Sequence, residues 1–452
     1  MIHSALFVLI GGVAAAPLAN KGDPPPILRL TGDWQVEATV EPGEAGGKAA
    51  PRPVTGVLKV APSTIVSVTA ERYDRLPLFQ SQTWAGWQKG AALKGVLAQE
   101  CTNRGLLVPA SLELRAGPGP GAERFALGKD YGADLEFGAI GRLPEGRIRE
   151  NQPVYASYRH GLLRIDAVVL TGRGEIILRQ GEPHAAAPLP PKVEKGERRL
   201  ANIYVPARLT KLSSDHLFPI LESAYPEPPK PSPSAAERFL PKTLKKLRDG
   251  DPLRILAWGD SVTVGTFVPD FERQRWQEQF VARLRERFPR AKIELVTEAW
   301  GGRNTSSYLD EPPGSEHNYR EKVLGAKPDL VVSEFVNDAG LSPEQVQERY
   351  GRLLEDFRGI GAEWIILTPH YVRPDWMGLA REREIDDDPR PYVAGLRRFA
   401  AARGVALADA SLRWGRLWRQ GIPYSTLMLN SINHPDARGM KLFADSLMAL
   451  FP

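Results

Sequence analysis

The chain has 452 residues, of which 42% are hydrophobic and 25% are charged, and this composition is typical of a globular protein and argues against disorder. Its net charge is +5, but basic and acidic residues are interleaved, which argues against a nucleic-acid-binding surface. A single cysteine excludes both an internal disulfide and a cysteine-rich metal site, and the length predicts more than one domain.

Residues 1–19 have the pattern of a secretory signal. An apolar run from Ala5 to Val13 is followed by small residues at Ala14–Ala16 and Ala19. The run is broken by glycine and is shorter than the roughly 20 residues of a membrane-spanning helix. We therefore expect a signal peptide, a secreted or periplasmic protein and no stable membrane span.

Residues 26–224 have a β-like pattern. Short runs rich in valine, isoleucine and leucine are broken by glycine, proline and asparagine, which predicts an all-β, sandwich-like N-terminal domain without catalytic residues. The runs are Val54–Ala61, Thr64–Ala70, Leu162–Leu170 and Glu175–Leu178. Five prolines among the ten residues of 225–234 then predict an extended linker.

From residue 235 to residue 452 short apolar runs alternate with helical periodicity. Hydrophobic residues four apart, beginning at Trp276, predict an amphipathic helix, and Ser342-Pro343 is typical of a helix start. The strand candidates are Leu253–Trp258, Ile293–Val296, Leu330–Val332, Trp364–Leu367 and Val405–Leu407. This alternation predicts a three-layer α/β/α domain around a parallel sheet.

Four polar clusters lie at the ends of these elements. Gly259-Asp260-Ser261, Gly301–Asn304 and Asn337-Asp338 each follow a predicted strand, and His434-Pro435 precedes the last helix. Ligands of open α/β sheets bind outside the carboxyl ends of the strands, so these clusters are expected to converge. A serine, a histidine base, and glycine and asparagine donors for an oxyanion are the residue types that acyl transfer needs. We expect no metal and no organic cofactor.

The segments AWGDSVTVG, AWGGRNTSSY, EFVNDAG and NHPDARG resemble, in order, the four sequence blocks of the SGNH/GDSL hydrolase family. The resemblance covers about residues 250–452 and implies a flavodoxin-like fold. It implies that Ser261 is the nucleophile, that Gly302 and Asn337 belong to the oxyanion hole, and that His434 is the general base.

The second block is also similar to that of the carbohydrate acetylesterases in this family. The resemblance therefore implies a serine esterase that acts on a small acyl ester, most often acetyl, of a carbohydrate. Two other functions stay open: a lipid or lysophospholipid esterase, and a carbohydrate-binding surface protein whose hydrolase domain is silent. The sequence does not indicate an oligomeric state.

Two positions depart from the family pattern. Phe335 replaces the glycine of the third block, and Ser431 stands where the acid normally lies, three residues before His434. A neutral acceptor can still orient an imidazole, so the sequence favours a Ser–His dyad in which a side-chain amide or a backbone carbonyl holds the histidine. The candidates for orienting His434 are Asp409, Asp436 and Asn430.

Overall fold

The computed structural model describes residues 24–41 and 52–452. The predicted signal peptide at 1–19 lies outside these residues. Within the described ranges no helix is both long enough and apolar enough to cross a membrane.

The N-terminal region consists of short strands that pair in antiparallel sheets, so the predicted all-β region is confirmed. The strands are β1 (Ile27–Gly32), β2 (Gln35–Val40), β3 (Val54–Lys59), β4 (Thr64–Tyr73), β5 (Ala91–Ala92), β6 (Leu97–Ala98), β7 (Cys101–Thr102), β8 (Glu113–Arg115), β9 (Arg124–Phe125), β10 (Tyr131–Asp134), β11 (Ala139–Arg142), β12 (Val154–Leu162), β13 (Arg164–Leu170), β14 (Ile176–Arg179), β15 (Arg198–Val205) and β16 (Leu217–Pro219). The sheet orders are β1-β2-β3, β10-β11-β5, β4-β12-β8-β9 and β14-β13-β15-β16, with β6-β7 as a separate pair.

The β6–β7 pair is a tight hairpin. Ala98 lies opposite Cys101, so Gln99 and Glu100 form a two-residue turn. Gln99 has a φ of 55°, the left-handed conformation that such turns require. Cys101 and Thr102 are buried whereas Glu100 is exposed, so the turn projects from the buried part of the hairpin.

The C-terminal region is built on five parallel strands in the order β18-β17-β19-β20-β21. This is the second-first-third order of flavodoxin-like sheets, and it confirms the predicted fold. The strands are β17 (Pro252–Gly259), β18 (Lys292–Ala299), β19 (Leu330–Glu334), β20 (Glu363–Leu367) and β21 (Ala406–Ala408). The helices are α1 (Ala235–Phe239), α2 (Pro241–Asp249), α3 (Ser261–Val264), α4 (Phe271–Gln274), α5 (Trp276–Arg287), α6 (Thr305–Asp310), α7 (Pro343–Gly359), α8 (Pro391–Arg403), α9 (Ala410–Gly415) and α10 (Ala437–Met448).

Helices cover both faces of this sheet. Side chains of a strand alternate between faces, so Leu253, Ile255 and Ala257 of β17 pack in one core while Leu256 and Trp258 pack in the other. The first core contains residues of α2, α5 and α10, and the second contains residues of α7 and α8. Burial on both faces explains why β17 is an unbroken apolar run in the sequence.

The two regions are in contact. Arg104 of the β region lies 3.1 Å from Asp375 of the α/β region, and the side-chain amide of Asn202 donates to the carbonyl of Gly421 at 2.6 Å. The proline-rich segment lies against the α/β region through Glu227, which accepts from Arg413 at 2.8 Å. The boundaries of the two predicted domains stay a prediction.

Candidate active site

Ser261 lies at a sharp turn at the carboxyl end of β17. Asp260 caps α3, because one of its carboxylate oxygens accepts from the Val262 N–H at 3.1 Å. Gly259 is required by close packing, since a Cβ there would lie 2.1 Å from Thr263 Oγ1 and 2.4 Å from the Glu334 carbonyl. The turn therefore fixes Ser261 as the first residue of α3, at the edge of the sheet where the strands end.

His434 reaches Ser261 from the loop before α10. Its Nε2 lies 3.1 Å from Ser261 Oγ, within reach for proton transfer. The loop is held by the side-chain oxygen of Asn430, which accepts from the backbone N–H groups of Ile432, Asn433 and His434 at 2.9–3.0 Å. The ring of Phe267 stacks on the imidazole with centroids 4.2 Å apart and an interplanar angle of 2°. Position and plane of the imidazole are thus both defined.

A carboxylate from the β region lies at the other ring nitrogen. Glu100 Oε1 is 3.0 Å from His434 Nδ1, and the side-chain amide of Asn430 donates to the same oxygen at 2.9 Å. Partial burial by itself raises the pKa of Glu100, but the contact with His434 and the hydrogen bond from Asn430 outweigh it and lower this pKa to about 2. Glu100 is therefore ionised at neutral pH.

The carboxylates considered from the sequence have other partners. Asp409 accepts from Arg397 at 2.7 Å and from Thr368 at 3.1 Å. Asp436 caps α10 by accepting from the N–H groups of Arg438 and Gly439. The structure thus corrects the expectation of a neutral partner: the Asn430 side chain contacts the His434 backbone N–H and the Glu100 carboxylate, and it is the carboxylate that lies beside the imidazole. Glu100 has no local motif that the sequence could have shown.

The loops expected to form the oxyanion hole come together beside Ser261. The backbone N–H of Asn337 donates to Asp260 at 3.0 Å, and its side-chain amide donates to the Arg303 carbonyl at 3.2 Å. Gly302 has a φ of 72°, and a Cβ there would meet nothing within 4 Å. A Cβ on the preceding glycine would lie 3.8 Å from the Cβ of Ser261, so this loop borders the nucleophile.

The core behind the nucleophile is tightly packed. Phe335 is buried, and its ring packs edge-on against Trp258 with centroids 4.8 Å apart, so an aromatic side chain fills the space behind the third block. Burial raises the pKa of both Asp260 and Glu334, and their proximity adds to the effect on Glu334. Burial therefore favours the neutral, protonated form of these two carboxyl groups.

The linings of two cavities include neither Ser261 nor His434, but one of them reaches the loop of His434. A cavity of about 480 Å³ lies at the junction of the two regions and reaches Ser431, in the loop that carries His434. A larger cavity, of about 840 Å³, lies between the proline-rich segment and α10, and its lining includes neither Ser261 nor His434. In the described part of the chain no group of three or more histidine, cysteine, aspartate and glutamate side chains is arranged to hold a metal ion.

Comparison with known proteins identifies the C-terminal region. The GDSL-like lipase/acylhydrolase family matches residues 257–442, whereas no curated protein matches the chain in sequence. The solved structures that are similar to the chain include three with low TM-scores. A two-domain esterase active on acetylated mannans, co-crystallised with mannopentaose, is 15% identical and has a TM-score of 0.37 over 48% of this chain and 53% of that one.

The second is an alpha/beta hydrolase enzyme from the metagenome of Lake Arreo, Spain, which is 19% identical with a TM-score of 0.35 over 44% of this chain and 94% of that one. The third, TesA, is 20% identical with a TM-score of 0.32 over 43% of this chain and 94% of that one. The match over residues 257–442 identifies this part of the chain as a hydrolase domain of the SGNH/GDSL family.

Proposed function

We propose that the protein is a serine esterase that removes a small acyl group, in particular acetyl, from a carbohydrate. The observation that carries the catalytic part is the 3.1 Å contact between Ser261 Oγ and His434 Nε2 at the carboxyl end of β17. A serine hydroxyl is a weak nucleophile until a base takes its proton, and this contact supplies the base.

The reaction has two steps. Ser261 Oγ attacks the ester carbonyl while His434 Nε2 takes its proton, and His434 then passes that proton to the leaving alcohol. The acyl-serine is hydrolysed by a water that His434 deprotonates, which releases the carboxylic acid and restores Ser261. The oxyanion of each tetrahedral intermediate is stabilised by the backbone N–H groups of Ser261 and Gly302 and by the side-chain amide of Asn337.

An exposed aromatic cluster supports a carbohydrate substrate. Trp84 of the β region is 76% exposed, and its ring lies 5.8 Å from that of Trp376, which is 41% exposed and belongs to the α/β region. The guanidinium of Arg373 lies over the Trp376 ring at 5.0 Å. The backbone N–H of Arg373 donates to the Ile432 carbonyl at 2.8 Å, which ties the cluster to the loop of His434.

The chemistry of this surface favours a sugar over an acyl chain. A sugar ring has an apolar C–H face that stacks on an aromatic ring and a polar rim that needs hydrogen-bond partners, whereas an acyl chain needs apolar contact alone. Charged side chains lie near Trp376: Arg373 stacks on its ring, and Asp375, its chain neighbour, lines the cavity of about 480 Å³ together with Arg104. We include export in the proposal because of the signal-like pattern at 1–19.

Hydrolysis of p-nitrophenyl esters of increasing chain length tests the esterase assignment. We expect kcat/KM to fall by about tenfold or more between acetate and decanoate, because a site for a small acyl group excludes added methylenes. Acetate release from an acetylated oligosaccharide is expected as well. Faster cleavage of the decanoate than of the acetate would favour a lipid esterase. If no ester is cleaved, the result would favour a carbohydrate-binding protein with a silent hydrolase domain.

Replacing the exposed tryptophans tests the carbohydrate assignment. We expect Trp84→Ala and Trp376→Ala each to raise KM for an acetylated oligosaccharide about tenfold, which corresponds to about 1.4 kcal/mol of lost stacking. KM for p-nitrophenyl acetate should not change, because this ester is too small to reach the cluster and the active site together. Leu127→Ala, at an exposed leucine of the β region, is the control. Equal KM values for the oligosaccharide in all variants would exclude this surface as the sugar site.

A further inference from the structure

We propose that Glu100, in the turn of the β6–β7 hairpin, is the carboxylate that positions His434, so that the N-terminal β region completes the catalytic site of the C-terminal domain. This inference rests on the proposed esterase function of Ser261 and His434. It assigns to the β region a role in the reaction itself, in addition to any role in binding substrate.

The two ring nitrogens of His434 have different partners. Nε2 lies 3.1 Å from Ser261 Oγ, and Nδ1 lies 3.0 Å from Glu100 Oε1, an ion-pair distance at which the ring N–H is not aligned for a hydrogen bond. A carboxylate this close to Nδ1 favours the tautomer with the proton on that nitrogen, which leaves Nε2 free to accept the serine proton. The same negative charge stabilises the imidazolium that forms when the proton is transferred. Glu100 thus has the position and the charge of the third member of a catalytic triad.

No residue of the His434 loop takes this position. Ser431, which stands at the place of the usual acid, carries no charge and has a φ of 61°. Asn430 instead connects the loop to Glu100. Its amide donates to Glu100 Oε1 at 2.9 Å, while its oxygen accepts from the His434 N–H at 3.0 Å. Asn430 therefore links the His434 loop to a carboxylate from another part of the chain.

The hairpin is fastened beside His434. The side-chain amide of Gln99 donates to the carbonyl of Phe267 at 2.9 Å, and the Phe267 ring stacks on the imidazole. On the other side of the turn Cys101 and Thr102 are buried, and Arg104 lies 3.1 Å from Asp375. Contacts on both sides of Glu100 therefore hold its backbone against the α/β region. Because the backbone is already fixed, less conformational entropy is lost when the Glu100 side chain contacts His434.

Two variants of the full-length protein test the inference. Glu100→Gln keeps the shape and an acceptor oxygen but removes the charge, so we expect kcat to fall about tenfold. Glu100→Ala also removes the acceptor that selects the tautomer, so we expect kcat to fall about 10²-fold, with KM for p-nitrophenyl acetate within about twofold of wild type. The rate of labelling of Ser261 by a fluorophosphonate should fall in the same order, since labelling depends on activation of the serine.

The matched control is Glu136→Gln. Glu136 is another acid of the β region at the junction, it pairs with Arg208, and its side chain is 52% exposed against 53% for Glu100. We expect this variant to have wild-type kcat. A role of Glu100 in stability alone would lower the thermal unfolding temperature of Glu100→Ala and leave the kcat of folded Glu100→Gln unchanged, and that result would overturn the inference.

Ser261→Ala in the same assay separates the inference from the proposed function. Loss of activity in Ser261→Ala together with wild-type kcat in both Glu100 variants would overturn the role of Glu100 alone. Full activity in Ser261→Ala would overturn the proposed function and the inference with it.

Discussion

Replacing Ser261 with alanine is expected to lower kcat for p-nitrophenyl acetate by about 10⁴-fold or more, because the acyl-enzyme can no longer form. The fold should survive the change. The turn depends on Gly259 and on the Asp260 cap, and among the described residues the serine Oγ hydrogen-bonds only with His434. Equal thermal unfolding temperatures for variant and wild type would assign the loss to chemistry. Retention of more than about a tenth of the activity would contradict the role of Ser261.

His434→Ala should lose nearly as much, because serine and base act in one step. The double variant Ser261→Ala/His434→Ala should then be hardly less active than either single variant, as residues that act as a unit are strongly non-additive. A double variant whose loss is the product of the two single losses would mean that the two side chains act in separate steps.

Asn337→Ala is expected to lower kcat by about 10²–10³-fold with little change in KM, because a donor to the oxyanion acts mainly in the transition state. The backbone of Asn337 is held by Asp260 independently of its side chain, so removal of the amide should leave the loop in place. Steady-state kinetics with p-nitrophenyl acetate measures both constants.

The control for Asn337 is Asn433→Ala, since Asn433 is an asparagine of the neighbouring His434 loop, and its side-chain oxygen accepts from Asn430 at 3.1 Å. We expect a much smaller effect there. A rise in KM for Asn337→Ala without a fall in kcat would mean that Asn337 only holds substrate.

Local patterns in the sequence were sufficient to predict most helices and strands of the α/β domain. β17 is buried on both faces and is therefore a continuous apolar run, and α7 begins where serine precedes proline because Ser342 caps the helix. The placement of Ser261, Asn337 and His434 at one edge of the sheet was predictable, because each follows a strand or precedes a helix at the end where ligands bind, and their catalytic roles stay a prediction. Position in the fold and residue type agreed at these sites.

Glu100 could not be predicted in this way. The turn that contains Glu100 has the ordinary composition of an exposed hairpin. Glu100 reaches the active site only because this turn packs against Phe267 and Asn430 in the other half of the chain. The proline-rich segment is similar. Its composition indicates an extended chain, but its contact with the α/β region depends on Arg413, which local pattern does not connect to Glu227. Contacts between distant segments are set by tertiary packing and not by periodicity.

Labelling with a fluorophosphonate followed by mass-spectrometric mapping tests the central claim most directly, because the reagent reacts only with a serine activated by a neighbouring base. We expect a single covalent adduct on Ser261, formed at the same rate as esterase activity is lost and absent from Ser261→Ala. An adduct on another serine, or full inactivation of the Ser261→Ala variant by the reagent, would contradict it.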